Sequence, residues 1–454
     1  MLNNKGRLPV GIATFLFLTG VFLILLLLPL PLDQSLIYIL AAIVFIIAFI
    51  NTDVALVLII LSMLLSPEIR AGAVADRNVI IRADDIFLFV IFLGWLSKMA
   101  IHKEFGILKR TPLNLLMVVY IFICVLSSLI GIIAGNTDFR RAVFYNIKYF
   151  EYFLIFFMVS NNLRNIRQAK TLIFFILLTC FIVCIAAWAQ IPSGERLTAP
   201  FESEGGEPNT FAAYLLLMIG LAMGLLFYIQ GRKERFVLLS LIILAVVAFV
   251  LTMSREGWLG FFPMFLVFII FHKRLRYPLI LLMAVGLVCM PFVLPKKVHE
   301  RFQDTFSSER SYRLFGKTIN VSESAAARID SWQIAFKQLG KTPVLGVGVP
   351  SASVIDNQYA RVLTETGLAG FIAFMLLLFV LFRNVLIAYK EVNDPFVKGV
   401  SLGFLAGFIG ILFQSFAAAV FILIRVMEPF WLLAAIVIAL PEIVPNVAEV
   451  TTVE

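Results

Sequence analysis

The sequence predicts an all-α polytopic membrane protein with about 12–14 transmembrane helices and one long extracytoplasmic loop containing amphipathic helices. Three observations carry that prediction. The 454 residues are 61% hydrophobic and 14% charged, far from the roughly 45–50% apolar and about 25% charged of soluble domains. The apolar residues lie in long runs separated by charged or Pro/Gly breaks, and a bilayer core of ~30 Å needs about 20 of them per crossing. The runs do not alternate, so the spans are helices rather than barrel strands, with their backbone groups bonded inside the segment.

Taken in order, the runs give fourteen candidate spans at about 10–28, 35–50, 54–65, 86–100, 113–134, 145–160, 171–191, 209–229, 236–252, 257–271, 277–294, 366–388, 399–422 and 428–440. The third and the last are short, which makes twelve the alternative count. Lys5 and Arg7 precede the first run as in a signal peptide. No small-residue cleavage site follows, only Pro29, Leu30 and Pro31, so a retained first helix is expected.

Charge then sets orientation. One set of loops carries Lys103, Lys109 and Arg110; Arg164, Arg167 and Lys170; Arg232, Lys233 and Arg235; Lys273, Arg274 and Arg276; and Lys390 and Lys398. The opposite set includes 192–208, with Glu195, Glu202, Glu204 and Glu207 against Arg196. This asymmetry predicts both termini in the cytoplasm. The chain divides into a helical region at 1–294, an extracytoplasmic loop at 295–365, C-terminal spans at 366–440 and a cytoplasmic tail at 441–454. Gly399, Gly403 and Gly407 recur every four residues, a spacing that lets membrane helices approach closely.

Inside the long loop, Ser322 and Glu323 precede an apolar pattern of Ile329, Trp332, Phe336 and Leu339 that stops at Gly340, with Pro343 beyond. These are start, face and stop signals of an amphipathic helix near the membrane surface. Residues 345–350 read as a turn. Ser353 with Asp356 three residues on has capping-box spacing and predicts a helix that runs on into span 366–388.

Several function classes are disfavoured. The net charge of +9 is dispersed between apolar runs, with no block suited to nucleic acid. Cys124, Cys180, Cys184 and Cys289 all lie in apolar runs, which predicts buried thiols rather than disulfides or a metal site. The sequence has no phosphate-cradling glycine-lysine loop and no zinc motif, and its three histidines are His102, His272 and His299. No metal or cofactor is expected.

The candidate functional residues are polar groups where spans emerge on the outer side. Arg255 and Glu256 interrupt two apolar runs, and a charge at the bilayer centre would cost ~2.5–3.5 kcal/mol on insertion scales, so Arg255 should lie near the surface or line a cavity. A hairpin tip with a local Arg-Glu pair is the plain alternative. Arg328 opens the loop helix, where solvated charge is ordinary. Together the two guanidinium groups would suit a diphosphate, held by paired charge-assisted bonds. Lys148 and Arg141 share a helix face and would extend such a basic pocket, unless Glu151 neutralises Lys148. Arg425 has Glu428 as a similar local partner.

Four stretches in order resemble the O-antigen ligase and polymerase family of bacterial membrane glycosyltransferases. They are Glu207-Pro208-Asn209; the run from Thr252 to Trp258; Arg328 to Trp332 followed by Pro343 to Gly348; and Asp356 to Tyr359 followed by Leu363 to Gly370. The resemblance covers about 207–374. It implies metal-independent transfer or polymerisation of a glycan from an undecaprenyl-diphosphate-linked donor to an acceptor hydroxyl, at the outer face of the cytoplasmic membrane, for cell-surface polysaccharide assembly. Arg255 and Arg328 would hold the diphosphate. Asp356 stands where the ligase branch carries a histidine, just before Asn357, and that departure tilts the expectation toward polymerases and other members.

By that reading Asp356 is the proton acceptor, unless it merely caps the following helix, and Glu365 is the reserve base. Asn357, Lys148, Arg141 and Arg425 are candidate substrate-binding residues. The expected partners are the lipid-linked donor, a glycan or lipid-glycan acceptor and the bilayer. A transporter or lipid-linked glycan flippase is the alternative. Such proteins often carry paired broken helices, and no matched pair of broken spans is visible in the sequence.

Overall fold

In a computed structural model the described residues are 43–66, 68–74, 77–102, 109–200, 206–293, 310–314, 317–351, 353 and 355–444. Residues 43–50 are helical. There follow α1 (Thr52–Leu65), strands β1 (Glu68–Val74) and β2 (Arg77–Arg82), α2 (Ala83–His102), α3 (Asn114–Ile133), α4 (Phe139–Asn162) and α5 (Ile166–Trp188). The middle of the chain forms α6 (Pro208–Tyr228), α7 (Arg232–Leu251), α8 (Arg255–Phe271) and α9 (Arg276–Val293). Strands β3 (Arg310–Leu314) and β4 (Lys317–Val321) precede α10 (Glu323–Leu339), α11 (Gln358–Glu391), α12 (Pro395–Gln414) and α13 (Ile424–Ile443).

Among the described residues eight helices, α3 to α7 and α11 to α13, are long and apolar enough to cross a membrane. The protein is an all-α, multi-pass membrane protein. The two antiparallel hairpins, β1–β2 and β3–β4, are additions that the sequence reading did not foresee. Large apolar side chains such as Leu115, Ile133 and Phe236 are exposed on the outside of the bundle, as befits a surface solvated by lipid rather than water. Of the fourteen expected spans, 10–28 lies outside the described residues and 35–50 is described only at 43–50. Of the other twelve, eleven each coincide with a helix, and 399–422 does so only as far as Gln414.

Helix starts follow from local chemistry. Asn51, Asp138, Asn165 and Asp394 each accept a backbone N–H with their side chain at an N-cap, and Asn165 forms a full capping box with Gln168. Pro208 and Pro395 stand in the first turns of α6 and α12, where a missing N–H is harmless. The loop helix α10 spans Glu323–Leu339 between Ser322 and Gly340, as its start and stop signals predict.

The centre of the bundle is the α6–α12 pair. Gly220 and Gly224 face Gly399, Gly403 and Gly407, and a Cβ at Gly224 would lie 2.4 Å from the Gly403 backbone. The four-residue glycine spacing is therefore a seam of backbone-to-backbone contact. On its next turn Gly410 meets Gly260 of α8 in the same manner.

Three expectations need correction. The run at 399–422 is not one helix: α12 ends at Gln414, and residues 415–423 form turns with a short 3-10 helix at Val420–Ile422. The Ser353–Asp356 capping box does not form. Asn357 is the N-cap of α11, its side chain accepting from the Ala360 N–H at 3.0 Å, so Asp356 is released from that duty.

The third concerns continuity, because α11 is broken at Gly367, whose φ of 62° and ψ of −161° are non-helical. The turn-rich stretch 343–348 fills the break. Val347 and Gly348 N–H groups donate to the Thr364 and Glu365 carbonyls, and Leu368 and Ala369 N–H groups donate to the Pro343 and Val344 carbonyls. Glycine is required at 367 by the positive φ and by a close approach, since a Cβ there would sit 2.5 Å from Val344 backbone atoms.

Candidate functional site

The polar residues singled out from the sequence gather at one end of the bundle, where α8 and α13 begin and α12 ends. The tip between α7 and α8 turns through Met253 at φ 50°. Ser254 then caps α8 by accepting the Gly257 N–H at 3.1 Å, so Arg255 and Glu256 occupy the first turn, both half-buried. Arg196 holds the tip from the preceding loop. Its Nε donates to the Thr252 carbonyl at 2.9 Å and its Nη2 to Asn209 Oδ1 at 3.1 Å.

Against this tip lies the second turn of α10. Arg328 Nη2 donates to Glu256 Oε1 at 2.8 Å, and Arg328 Nε donates to the Ala417 carbonyl at 3.1 Å. Beside the local Arg255–Glu256 pair offered as the plain alternative, Glu256 thus makes an ion pair across elements. One turn along α10 from Arg328, Ser331 Oγ accepts the Asp356 backbone N–H at 3.1 Å. Asp356 itself is exposed, and its charge and that of Glu207 are felt by Glu256. Asn357 Nδ2 donates to the Phe416 carbonyl at 2.7 Å.

The irregular segment after α12 is therefore the hinge of the arrangement, because carbonyls at 416 and 417 receive Asn357 and Arg328. Gln414 Nε2 donates to the Asn209 carbonyl at 3.2 Å, and Gln358 Oε1 accepts the Phe421 N–H at 3.0 Å. Stretches far apart in sequence, 207–209, 252–257, 328–331, 356–358 and 414–421, meet at one place. The structure joins Arg328, Asp356 and Asn357 there and sets Arg255 beside Glu256.

The remaining candidates sit nearby in different surroundings. Lys148 is buried in α4 between Asp85 Oδ1 at 2.7 Å and Glu151 Oε2 at 2.8 Å. The oxygens of Asp84, Asp85 and Glu428 lie within 4.8 Å of one another, close enough to share a cation, and Lys148 is the cation that reaches Asp85. Arg425, also buried, donates through Nη1 to the Leu64 and Pro200 carbonyls at 3.2 and 3.3 Å. It thereby pins the end of α1 and the 191–200 loop to α13.

Glu365 is buried and paired with Arg361 at 2.9 Å. Its carboxylate also accepts the Ser351 N–H at 3.0 Å. Ser127 of α3 reaches the Glu365 and Leu345 carbonyls, so Glu365 is built into the break in α11. Arg141 lies in the first turn of α4, its backbone N–H donating to Asp138. Among the thiols, Cys124, Cys180 and Cys184 are buried and free, and the Cys289 side chain lies outside the described set.

Sequence reasoning missed Glu256 as the partner of Arg328, Arg196 as the anchor of the tip, and the 415–423 segment altogether. Arg196 left a trace as the lone cation in an acidic loop. Gln414 and Ser415 left another, as a polar pair inside an apolar run.

None of the curated proteins matches the chain. A family model described as O-antigen ligase matches residues 240–375, the stretch that holds the 252–257 tip, all of α10 and the break in α11. That family indicates glycan transfer of the O-antigen ligase or polymerase type, and by this match residues 240–375 of the chain carry an O-antigen ligase family domain.

Proposed function

We propose that the protein transfers or polymerises a glycan from an undecaprenyl-diphosphate-linked donor onto an acceptor hydroxyl, with the Arg328 end of the bundle on the outer face of the bacterial cytoplasmic membrane. The observation that carries this reading is the convergence on α10. One helix holds Arg328 against the 255–256 tip and, one turn later, holds the backbone of Asp356 through Ser331. A cation for a leaving group and a carboxylate for a proton are thereby set close together.

In the proposed reaction the acceptor oxygen attacks the anomeric carbon of the donor. The bond from that carbon to the diphosphate oxygen breaks, and the electron pair leaves on the polyprenyl diphosphate. The acceptor proton passes to the Asp356 carboxylate. Arg255 and Arg328 stabilise the charge that grows on the leaving diphosphate, a service fixed donors render best when already in place. Arg328 is prepositioned by Glu256 and the Ala417 carbonyl, so little reorganisation accompanies the step. Asn357 contributes by fixing the turn that presents Asp356, and the reaction calls on no metal.

Transport is favoured by one observation, the break in α11 at Gly367. In carriers such breaks expose backbone groups to a substrate. Here the groups on both sides of the break are taken by residues 343–348, so the break serves to dock the loop, and transfer remains the better account.

The test is release of polyprenyl diphosphate from a lipid-linked oligosaccharide by purified protein in nanodiscs, with mixed acceptors, a chelator and no nucleotide. Turnover that survives the chelator and falls at least 100-fold in Arg255→Ala supports transfer. Donor that binds but is never cleaved, whatever the acceptor, makes transport the correct reading.

A further inference from the structure

Beside the Arg328 cluster is a cavity of about 200 Å³ between the first half of α4 and the segment entering α13. Its walls are Phe144, Tyr145, Tyr149, Tyr152 and residues 422–424, with Lys148 at one side. Two connections tie it to the site already described. The 422–424 wall continues directly from the segment whose Ala417 carbonyl holds Arg328, and the Tyr152 hydroxyl donates to the Ile422 carbonyl at 3.1 Å. On the other side, the Tyr145 ring lies 5.6 Å from the guanidinium of Arg361, which pairs with Glu365 beside Ser351.

The chemistry of the cavity differs from that of the arginine site. Lys148 is already held by Asp85 and Glu151, and Asp84 and Glu428 lie close behind. With Arg361 and Glu365 on the other side, five carboxyl groups thus stand against three cations, Lys148, Arg425 and Arg361, which leaves no surplus positive charge for a diphosphate. The aromatic walls present flat apolar faces with phenol hydroxyls at their rims. Such faces stack on the C–H faces of a sugar ring, while the fixed Lys148 ammonium bonds its hydroxyls. A prenyl chain would leave the charged edge facing hydrocarbon.

We propose that this cavity is the subsite for one uncharged sugar ring of the acceptor glycan, stacked on Phe144 and the tyrosines and oriented by Lys148, which Asp85 and Glu151 hold in place. The proposal rests on the transfer reading above for the role of that glycan, and it separates acceptor binding at the aromatic cavity from donor binding at Arg255 and Arg328.

The experiment uses the full chain in nanodiscs and the oligosaccharide freed by mild acid from the source bacterium's own lipid-linked repeats, labelled at its reducing end. Binding is read by fluorescence anisotropy for wild type, Phe144→Ala, which removes a stacking face, and Ile422→Trp, which fills the cavity. Both altered side chains are half-buried, and equal thermal unfolding of the three proteins controls for folding. Saturable binding by wild type that weakens at least tenfold in both variants, with binding of the intact lipid-linked donor unchanged, supports the subsite. Equal binding by the Ile422→Trp protein, no binding by wild type, or displacement of the glycan by undecaprenyl monophosphate overturns it. If wild type binds glycan in the cavity yet never releases polyprenyl diphosphate, the subsite stands and the transfer reading fails.

Discussion

The helices α6 and α12 run together along the bundle, yet the two ends of their contact are built from different chemistry. Through the apolar stretch they meet at Gly220, Gly224, Gly399, Gly403 and Gly407, with backbone pressed on backbone. At the other end the same pair is joined by a hydrogen bond from the Gln414 side-chain amide to the Asn209 carbonyl. Around that junction lie Arg196, Glu256, Arg328 and Asn357. At Gly220, Gly224 and Gly403 a Cβ would meet backbone of the facing helix at under 3.0 Å and force the pair apart, whereas the polar end uses side chains to tie loops that have no helix of their own. Scaffold and site are thus separate devices on one pair of helices, and substitutions should sort accordingly.

The largest effect is expected at the seam. Gly224→Leu drives a side chain into the Gly403 backbone, where the Cβ alone would sit at 2.4 Å; overpacking costs about 1–3 kcal/mol even in cores able to shift. Loss of a monodisperse species on size exclusion in detergent is the expected outcome, and a folded, active variant would break the distinction. At the polar end Arg328→Ala should instead leave the protein folded and lower transfer ~100-fold or more, the scale of one preplaced donor to a developing anion. Single-turnover rates on protein matched for thermal stability check it.

Adjacent residues sharpen the comparison. Asp356→Asn should slow transfer by about 100-fold or more, as loss of a general base does, with unchanged unfolding. Asn357→Ala removes the α11 cap and should cost about 1 kcal/mol of stability, read as a lowered unfolding midpoint. If both substitutions act on stability alone, Asp356 is structural. The smallest effect is expected at the opposite end, where the Tyr228 and Tyr389 hydroxyls lie 2.8 Å apart. Tyr389→Phe should cost about 1 kcal/mol and leave turnover as in wild type.

The elements that were legible in the sequence are those specified locally. Hydrophobic runs mark α3 to α9, Ser322 and Gly340 bracket α10, and the glycine spacing announces the seam. What was not legible depends on contacts across the chain. Residues 415–423 stay apolar because they are packed inside protein, so hydropathy alone reads them as more helix. The break at Gly367 is held by hydrogen bonds from 343–348, a partner that no local window contains. For Arg328 the sequence identified the cation and missed its carboxylate, because Glu256 already had an obvious neighbour in Arg255. For Lys148 the sequence offers either a basic pocket or neutralisation by Glu151; the fold pairs it with Glu151 and adds Asp85, a partner that no local window contains.

The most direct test of the account is stoichiometric. Purified protein in nanodiscs, given lipid-linked repeat units and a chelator, should release one polyprenyl diphosphate for each glycosidic bond formed, measured by mass spectrometry of lipid and glycan in the same sample. The account predicts a one-to-one ratio in wild type and loss of both products together in folded Arg328→Ala. Glycan growth that persists in that variant, or donor passing intact through the bilayer with no diphosphate released, would contradict it.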